Sequence, residues 1–250
     1  MKITIQTFAY NEEFLMPFFL KHYSFADRIH VILDADTNDN TEDILNNNPK
    51  VTVEKFKFPQ MFNDGIKVRE NNRVAQELGQ DTDWLIIVDV DEFVFSAKGE
   101  DIRAFLGRQT GNVVVSRMWQ VYRNKKDIDL DVDSKIPPVY QRCYGDPNRS
   151  KGVNKGYCKP IVLKMPLPFT FTVGQHKIHG DNLKFCEETL DGTHWAMADP
   201  CFAVKRRVID RKLRMSEANC RNKWSKHQRR ITGEKIFEEC IFHHNDIKLF

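Results

Sequence analysis

The spacing of hydrophobic and polar positions changes repeatedly along the first half of the chain, and each change marks an element. Residues 2–8 alternate Ile3 and Ile5 with Thr4 and Gln6, the period-two pattern of a strand. Phe14, Leu15, Phe18, Phe19 and His22 then fall on one side of a short helix. Pro17 suits a first helical turn, where its missing N–H would be unpaired in any case. A start near Met16 leaves 11–13 as a loop; the alternative is a longer helix capped by Asn11. Residues 28–33 read as a second strand. A helix over 42–46 follows, capped by Asn40 or Thr41, then a strand over 51–58. A longer helix opens at 63–65 and runs to Leu78, with Ile66, Val68, Val74, Ala75 and Leu78 on its apolar side.

The alternation then stops. Residues 84–95 read Trp-Leu-Ile-Ile-Val-Asp-Val-Asp-Glu-Phe-Val-Phe. Leu85 to Val88 is a short, β-branched, unbroken apolar run, which suits a strand buried on both faces. Three strand–helix units leading into such a strand predict an α/β fold, with a mostly parallel, Rossmann-like sheet flanked by helices. Further elements are a helix over 100–106 and strands over 113–118, 159–164 and 169–173. Ala203, Val204, Val208, Ile209 and Leu213 outline an amphipathic helix within a basic run over 204–235. The expected division is a main domain over 1–200, with parts 1–120 and 121–200, and a basic helical extension over 201–250.

Composition narrows the class. The chain has 250 residues, enough for one large domain, with an ordinary 41% hydrophobic and 29% charged residues. No apolar run approaches the ~20 residues of a membrane span, and the N-terminus reads as a strand rather than a signal peptide. Six scattered cysteines without a Cys-x-x-Cys pair fit neither a zinc site nor a disulfide scaffold, so a cytoplasmic setting is expected. The net charge of +3 is mild, but the positive charge gathers toward the C-terminus. That basic segment could dock on anionic lipid headgroups, placing the protein at the inner face of the membrane, or on a phosphorylated acceptor; the alternative is a plain solvated basic face. Sparse aromatic–basic interleaving argues against nucleic acid.

The chemistry centres on Asp89, Asp91 and Glu92. Two acids spaced i, i+2 at a strand end project to one side and repel unless a cation or proton intervenes. A divalent ion shared with substrate phosphates would relieve them. The competing readings are a solvated acidic turn and an ATPase strand, but the latter needs a Gly-x-x-x-x-Gly-Lys-[Ser/Thr] loop that the sequence lacks. An Asp-nucleophile phosphohydrolase, with Asp89 attacking and Asp91 as acid, usually carries its pair on the first strand. A non-catalytic nucleotide or polyanion binder would rely on the basic C-terminus. Arg149, Lys151 and Lys155 sit in a polar stretch over 145–156 that is either a lid over phosphate or only a loop.

The order Asn11-Glu12-Glu13, then Leu-Asp-Ala-Asp-Thr-Asn-Asp-Asn-Thr over 33–41, then Asp-Trp-Leu-Ile-Ile-Val-Asp-Val-Asp-Glu-Phe over 83–93, resembles the family-two-like nucleotide-sugar glycosyltransferases. The likeness is to the branch with an Asn-Glu-Glu loop and an Asp-x-Asp-Glu-Phe signature, and covers about the first 120 residues. It implies the glycosyltransferase A-type fold and metal-dependent transfer of a sugar from a UDP- or GDP-type donor to an acceptor hydroxyl. The acceptor would be a saccharide or lipid-linked saccharide, as in surface polysaccharide or lipopolysaccharide synthesis. By the resemblance Asn11, Glu12, Glu13 and Asp34 surround the base and ribose, with Asp36, Asp64, Asp89 and Lys205 completing the donor side. Asp36-Thr37-Asn38 departs from the family's usual Asn/Gly-Ser-Thr. Asp89 and Asp91 would hold Mn²⁺ or Mg²⁺. His176 would complete the shell, with His179 or His194 as substitutes, since neutral imidazole ligates such ions. Inverting transfer needs a base near the acceptor. Asp181, Glu188 and Asp199 are the carboxylate candidates and His194 a further catalytic candidate; their spacing selects none.

Overall fold

Strand β1 (Ile3–Ala9) is buried along its whole length. It leads through α1 (Met16–His22) to β2 (Arg28–Asp34), through α2 (Thr41–Asn46) to β3 (Val51–Phe56), and through α3 (Asp64–Leu78) to β4 (Trp84–Ile87). Then come β5 (Glu92–Phe95), α4 (Ile102–Gly107), β6 (Val113–Tyr122), β7 (Tyr144–Gly145) and β8 (Cys158–Lys164). A small hairpin of β9 (Thr170–Phe171) and β10 (Ile178–His179) precedes β11 (Leu190–Met197), α5 (Pro200–Val204) and a π-helical turn over Lys205–Arg211. Helices α6 (Glu217–Arg221) and α7 (Gly233–Ile241) and strand β12 (Ile247–Lys248) end the chain. This computed structural model describes residues 1–96, 98–124, 127–145, 158–222, 224, 232–241 and 247–248. The basic loop bearing Arg149, Lys151 and Lys155, and residues 223 and 225–231 of the basic run, lie outside the described residues.

The sheet runs in the order β12-β7-β6-β8-β4-β1-β2-β3. The pairings β1–β2, β1–β4 and β2–β3 are parallel, as three strand–helix units require. Beyond β4 the sheet turns antiparallel, through β8 and β6, so the whole is mixed. β5 leaves the main path and pairs with β11, which runs parallel to β6. The reason lies in the acid turn: Glu92 N–H donates to Asp89 O at 2.9 Å, reversing the chain directly after β4. Tyr23 fixes the new direction. Its hydroxyl donates to Glu92 O at 2.8 Å and accepts from Val94 N–H at 3.0 Å. Phe93 packs beside it against Trp195, ring centroids 4.7 Å apart.

Pro17 lies in the first turn of α1, so residues 11–13 are a loop rather than a cap. Helix α3 begins with Asn63 accepting from Ile66 N–H at 3.0 Å. Helix α5 packs on β11, and the π-helical turn after it contributes Arg207, Asp210 and Arg211 to the space above the strand ends. Among the described residues no helix is long and apolar enough to cross a membrane. Ile86, fully buried in the central strand, tests the core: Ile86→Ala is expected to cost about 2–5 kcal/mol in a urea unfolding titration.

Candidate active site

The strand order reverses at β1. From β1 the chain steps to β2 and β3 on one side, and β4 lies on the other. Loops leaving such a switch point diverge, and the crevice between them is where open α/β sheets bind ligands. Here it is a cleft of about 500 Å³, bordered by Phe8 near the end of β1, by Tyr10 and Glu12 beyond it, and by Asp89, Asp91 and Glu92 after β4. That volume lies within the range of small-ligand sites, roughly 300–1,000 Å³.

The loop after β1 is fastened to the loop after β2. Asn11 adopts φ 51°, a left-handed conformation that Asn tolerates better than most residues. Its amide donates to Asn38 Oδ1 at 2.9 Å and accepts from Asn38 N–H at 3.0 Å. Glu12 N–H donates to Thr41 Oγ1 at 2.8 Å. Asn11 thus shapes the cleft wall without lining it. The side chain of Glu12 points inward and is buried.

The acid turn is surrounded by the protein's own cations. Lys67 of α3 reaches Asp89 at 2.7 Å; Lys159 of β8 lies 2.5 Å from Glu92 and 3.6 Å from Asp89. Arg206, from the π-helical turn, is buried between Glu12 and Asp91 and donates to both. His194 Nε2 lies 3.2 Å from Asp91 Oδ2. Gln120 orients that ring: its amide N–H donates to His194 O at 3.0 Å, so its oxygen receives His194 Nδ1–H at 2.7 Å.

These neighbours set the protonation states. Burial alone would raise the Asp89 carboxyl, but the Lys67 and Lys159 ammonium groups outweigh it and hold it well below the usual range. Burial opposes ionisation of Asp91 too, and Arg206 and His194 overcome it. Glu12 and Glu92 are pushed up, because burial exceeds the pull of Arg206 on the first and Lys159 on the second. Desolvation, helped by Lys159, lowers His176, which keeps that ring neutral.

The predicted residues divide into two groups. Glu12, Asp64, Asp89, Asp91, His176 and His194 all line the cleft. Asp34 lies buried beneath it. Others lie elsewhere. Glu13 accepts from Asn40 N–H at 3.3 Å, on the outer side of the loop. Asp36 is exposed and bonds Arg214; Lys205 pairs with Asp210 at 3.4 Å. Of the base candidates, Asp181 is exposed, Glu188 is bonded by Arg108, and Asp199 caps α5 by accepting from Phe202 N–H at 2.9 Å. None of these three borders the cleft, whereas Asp210 does. His179 is exposed on β10.

Sequence reasoning missed the roles of Lys67, Asn71, Gln175, Arg206 and Arg214. Arg206 meets Asp91 across 115 positions, a pairing without a local signal. Arg214 stacks on Tyr10, 3.8 Å from the ring centroid, and donates to Asp34 at 2.9 Å.

The donor set does not fit the expected divalent ion as it is arranged. Asp89 and Asp91 already bond Lys67 and Arg206, and an ion between them would have to displace these cations. Among the described residues no group of three or more His, Cys, Asp or Glu side chains lies close enough to hold a metal.

No protein-family model and no curated protein matches the chain. Two structures of S. aureus TarS 1-349, the second in complex with UDP-GlcNAc, overlay with TM-score 0.43 at 13% and 14% identity. They cover 88% of this chain and 68% and 69% of theirs. Glucosyl-3-phosphoglycerate synthase from Mycobacterium tuberculosis, in complex with Mn²⁺, UDP and phosphoglyceric acid, overlays with TM-score 0.30 at 13% identity, over 48% of this chain and 43% of its own. Overlays this loose carry no weight in assigning an activity.

Two measurements test the charge arrangement. Arg206→Ala leaves two buried carboxylates facing each other and is expected to cost about 3–5 kcal/mol of stability by urea unfolding. Glu12→Gln tests the raised carboxyl. A carboxyl raised by folding favours the fold below its unfolded value and loses that contribution as pH rises through its folded value. The variant's stability relative to the wild type is therefore expected to increase from about pH 4 to about pH 7 in paired urea titrations.

Proposed function

We propose that the chain is a glycosyltransferase, moving a sugar from a nucleoside diphosphate donor to an acceptor hydroxyl. The observation that carries this reading is the cleft at the β1/β4 switch point, with an acid motif framed by fixed cations. Two of the three stretches that resemble nucleotide-sugar transferases, 11–13 and 83–93, contribute residues to that cleft. Tyr10 and Arg214, stacked on each other and fixed by Asp34, line the cleft and offer a planar, hydrogen-bond-donating edge for a base. Lys67, Lys159 and Arg211 supply donors for a diphosphate, whose charge grows as the sugar leaves. A UDP- or GDP-type donor and a saccharide or lipid-linked saccharide acceptor remain the proposed substrates. The exposed Ile209 and Leu213, four positions apart beside Lys212, are the surface that would meet a membrane carrying such an acceptor.

Calorimetry with UDP and with GDP, each in EDTA and in Mn²⁺, tests the reading. One nucleotide is expected to bind, and Arg211→Ala to weaken it about tenfold, as loss of one charge-assisted contact would. A strict requirement for Mn²⁺ would mean that the ion takes Asp89 from Lys67. Absence of binding to either nucleotide in both conditions would remove the proposal.

A further inference from the structure

Among the buried side-chain atoms at the cleft without a partner in the described residues are one oxygen of the charge-paired Glu12 and two amide groups, the side-chain oxygen of Asn71 and the side-chain nitrogen of Gln175. Asn71 is 5% exposed and Gln175 4%. Leaving such a group unpaired costs about 1–3 kcal/mol, and native structures rarely do so without a purpose.

The fold holds both in place at a further cost. Gln175 sits at φ 58°, directly after Gly174 at φ 79°, so two successive residues occupy the left-handed region. A residue other than glycine held there is strained, and such strain gathers where ligands bind. The loop is fastened to α3 by the neighbour of Asn71. Asn72 Oδ1 accepts from Phe171 N–H at 2.9 Å, and Asn72 Nδ2 donates to Phe171 O at 3.4 Å. Gln175 N–H closes the loop on Thr172 O at 2.9 Å. The helix turn bearing Asn71 is in turn tied to β1, since Gln6 Nε2 donates to Asn71 O at 2.9 Å. Asn71 and Gln175 are thus fixed relative to each other and to the sheet.

Their chemistry selects the ligand group. Asn71 offers an acceptor oxygen and Gln175 a donor N–H. A hydroxyl gives one hydrogen and accepts another, so it satisfies both. A phosphate oxygen cannot donate to Asn71, and a cation cannot accept from Gln175. Position selects which hydroxyl. Tyr10 follows β1 and the acid turn follows β4, while the turn bearing Gln175 lies between β9 and β10, packed on α3 and β8, with its neighbour His176 facing Lys159 at the start of β8. A donor with its base beside Tyr10 and Arg214 and its diphosphate at Lys67 and Lys159 would bring its sugar to the Gln175 side of the same cleft.

We propose that Asn71 and Gln175 form a specificity subsite that hydrogen-bonds a hydroxyl of the donor's sugar. This rests on the glycosyltransferase reading above. The test compares Kd values by calorimetry for UDP, UDP-glucose, UDP-N-acetylglucosamine, GDP and GDP-mannose. The proteins are the wild type, Asn71→Leu, Gln175→Met and the near-isosteric Gln175→Glu, which replaces the donor with an acceptor. The wild type is expected to bind one sugar nucleotide more tightly than its parent diphosphate. Each variant is expected to lose at least about tenfold of that advantage; the two apolar variants keep their affinity for the diphosphate alone, and Gln175→Glu, which adds a charge, is judged only by the ratio of sugar-nucleotide to diphosphate affinity. The two apolar variants should unfold at or above the wild-type urea midpoint, because they remove unpaired groups from the ligand-free protein. Equal weakening of diphosphate and sugar nucleotide would assign the pair to ribose or phosphate and overturn the proposal. Unchanged affinities in all variants, or a wild type that gains nothing from any sugar tested, would overturn it also. A wild type that binds neither diphosphates nor sugar nucleotides would overturn the glycosyltransferase reading itself, and this inference with it.

Discussion

Arg206 lies buried with one carboxylate on either side, Glu12 from the loop after β1 and Asp91 from the loop after β4. These loops diverge from the sheet's switch point, and two buried acids would drive them further apart. The guanidinium offsets that repulsion and fixes the width of the cleft. The three charges do not contribute equally. Asp91 is held ionised by Arg206 and His194, while burial lifts Glu12 against the same guanidinium. A buried arrangement of this kind brings little net stability, because desolvation consumes most of the attraction, but removing one member exposes the full penalty. Its main consequence is geometric: the end of the chain becomes a wall of the cleft.

The same logic extends along the acid turn. Lys159 is held between Glu92 and Asp89, and its charged form is favoured despite complete burial because both carboxylates face it. Lys67 approaches Asp89 from α3, over the ring of Phe8. The acids of the motif therefore meet a prearranged ring of positive groups contributed by α3, β8 and the π-helical turn. Such a ring holds anionic groups without reorganising when charge develops, which is what transfer from a diphosphate demands.

Strain marks the other half of the site. Asn11 and Gln175 each hold a left-handed backbone, yet they are used differently. The Asn11 amide spends both of its groups on Asn38 and so joins two loops. Gln175 keeps its side-chain nitrogen unpaired at the cleft wall. The first is a structural expense that is recovered locally; the second is recovered only if something binds.

The chain by itself determined its local elements and where chemistry could lie. Period-two and helical spacings marked the first four strands and three helices, because burial on one or both faces imprints itself on neighbouring residues. The unbroken run into Asp89, Asp91 and Glu92 marked the end of β4 for the same reason. The antiparallel half of the sheet was not legible, since a strand's partner depends on chain path rather than on its own composition. Nor was the fate of the acids. Spacing placed Asp89 and Asp91 on one side, as a metal site would, but only packing brought Lys67, Lys159 and Arg206 onto them. Glu188 and Asp199 had the right chemistry and the wrong neighbours, an arginine at the surface and a helix N-terminus. Asn71 and Gln175 carried no signal, because an amide in sequence looks the same whether satisfied or not. Long-range contacts decide charge compensation, hydrogen-bond satisfaction and burial, and those are properties of the folded chain alone.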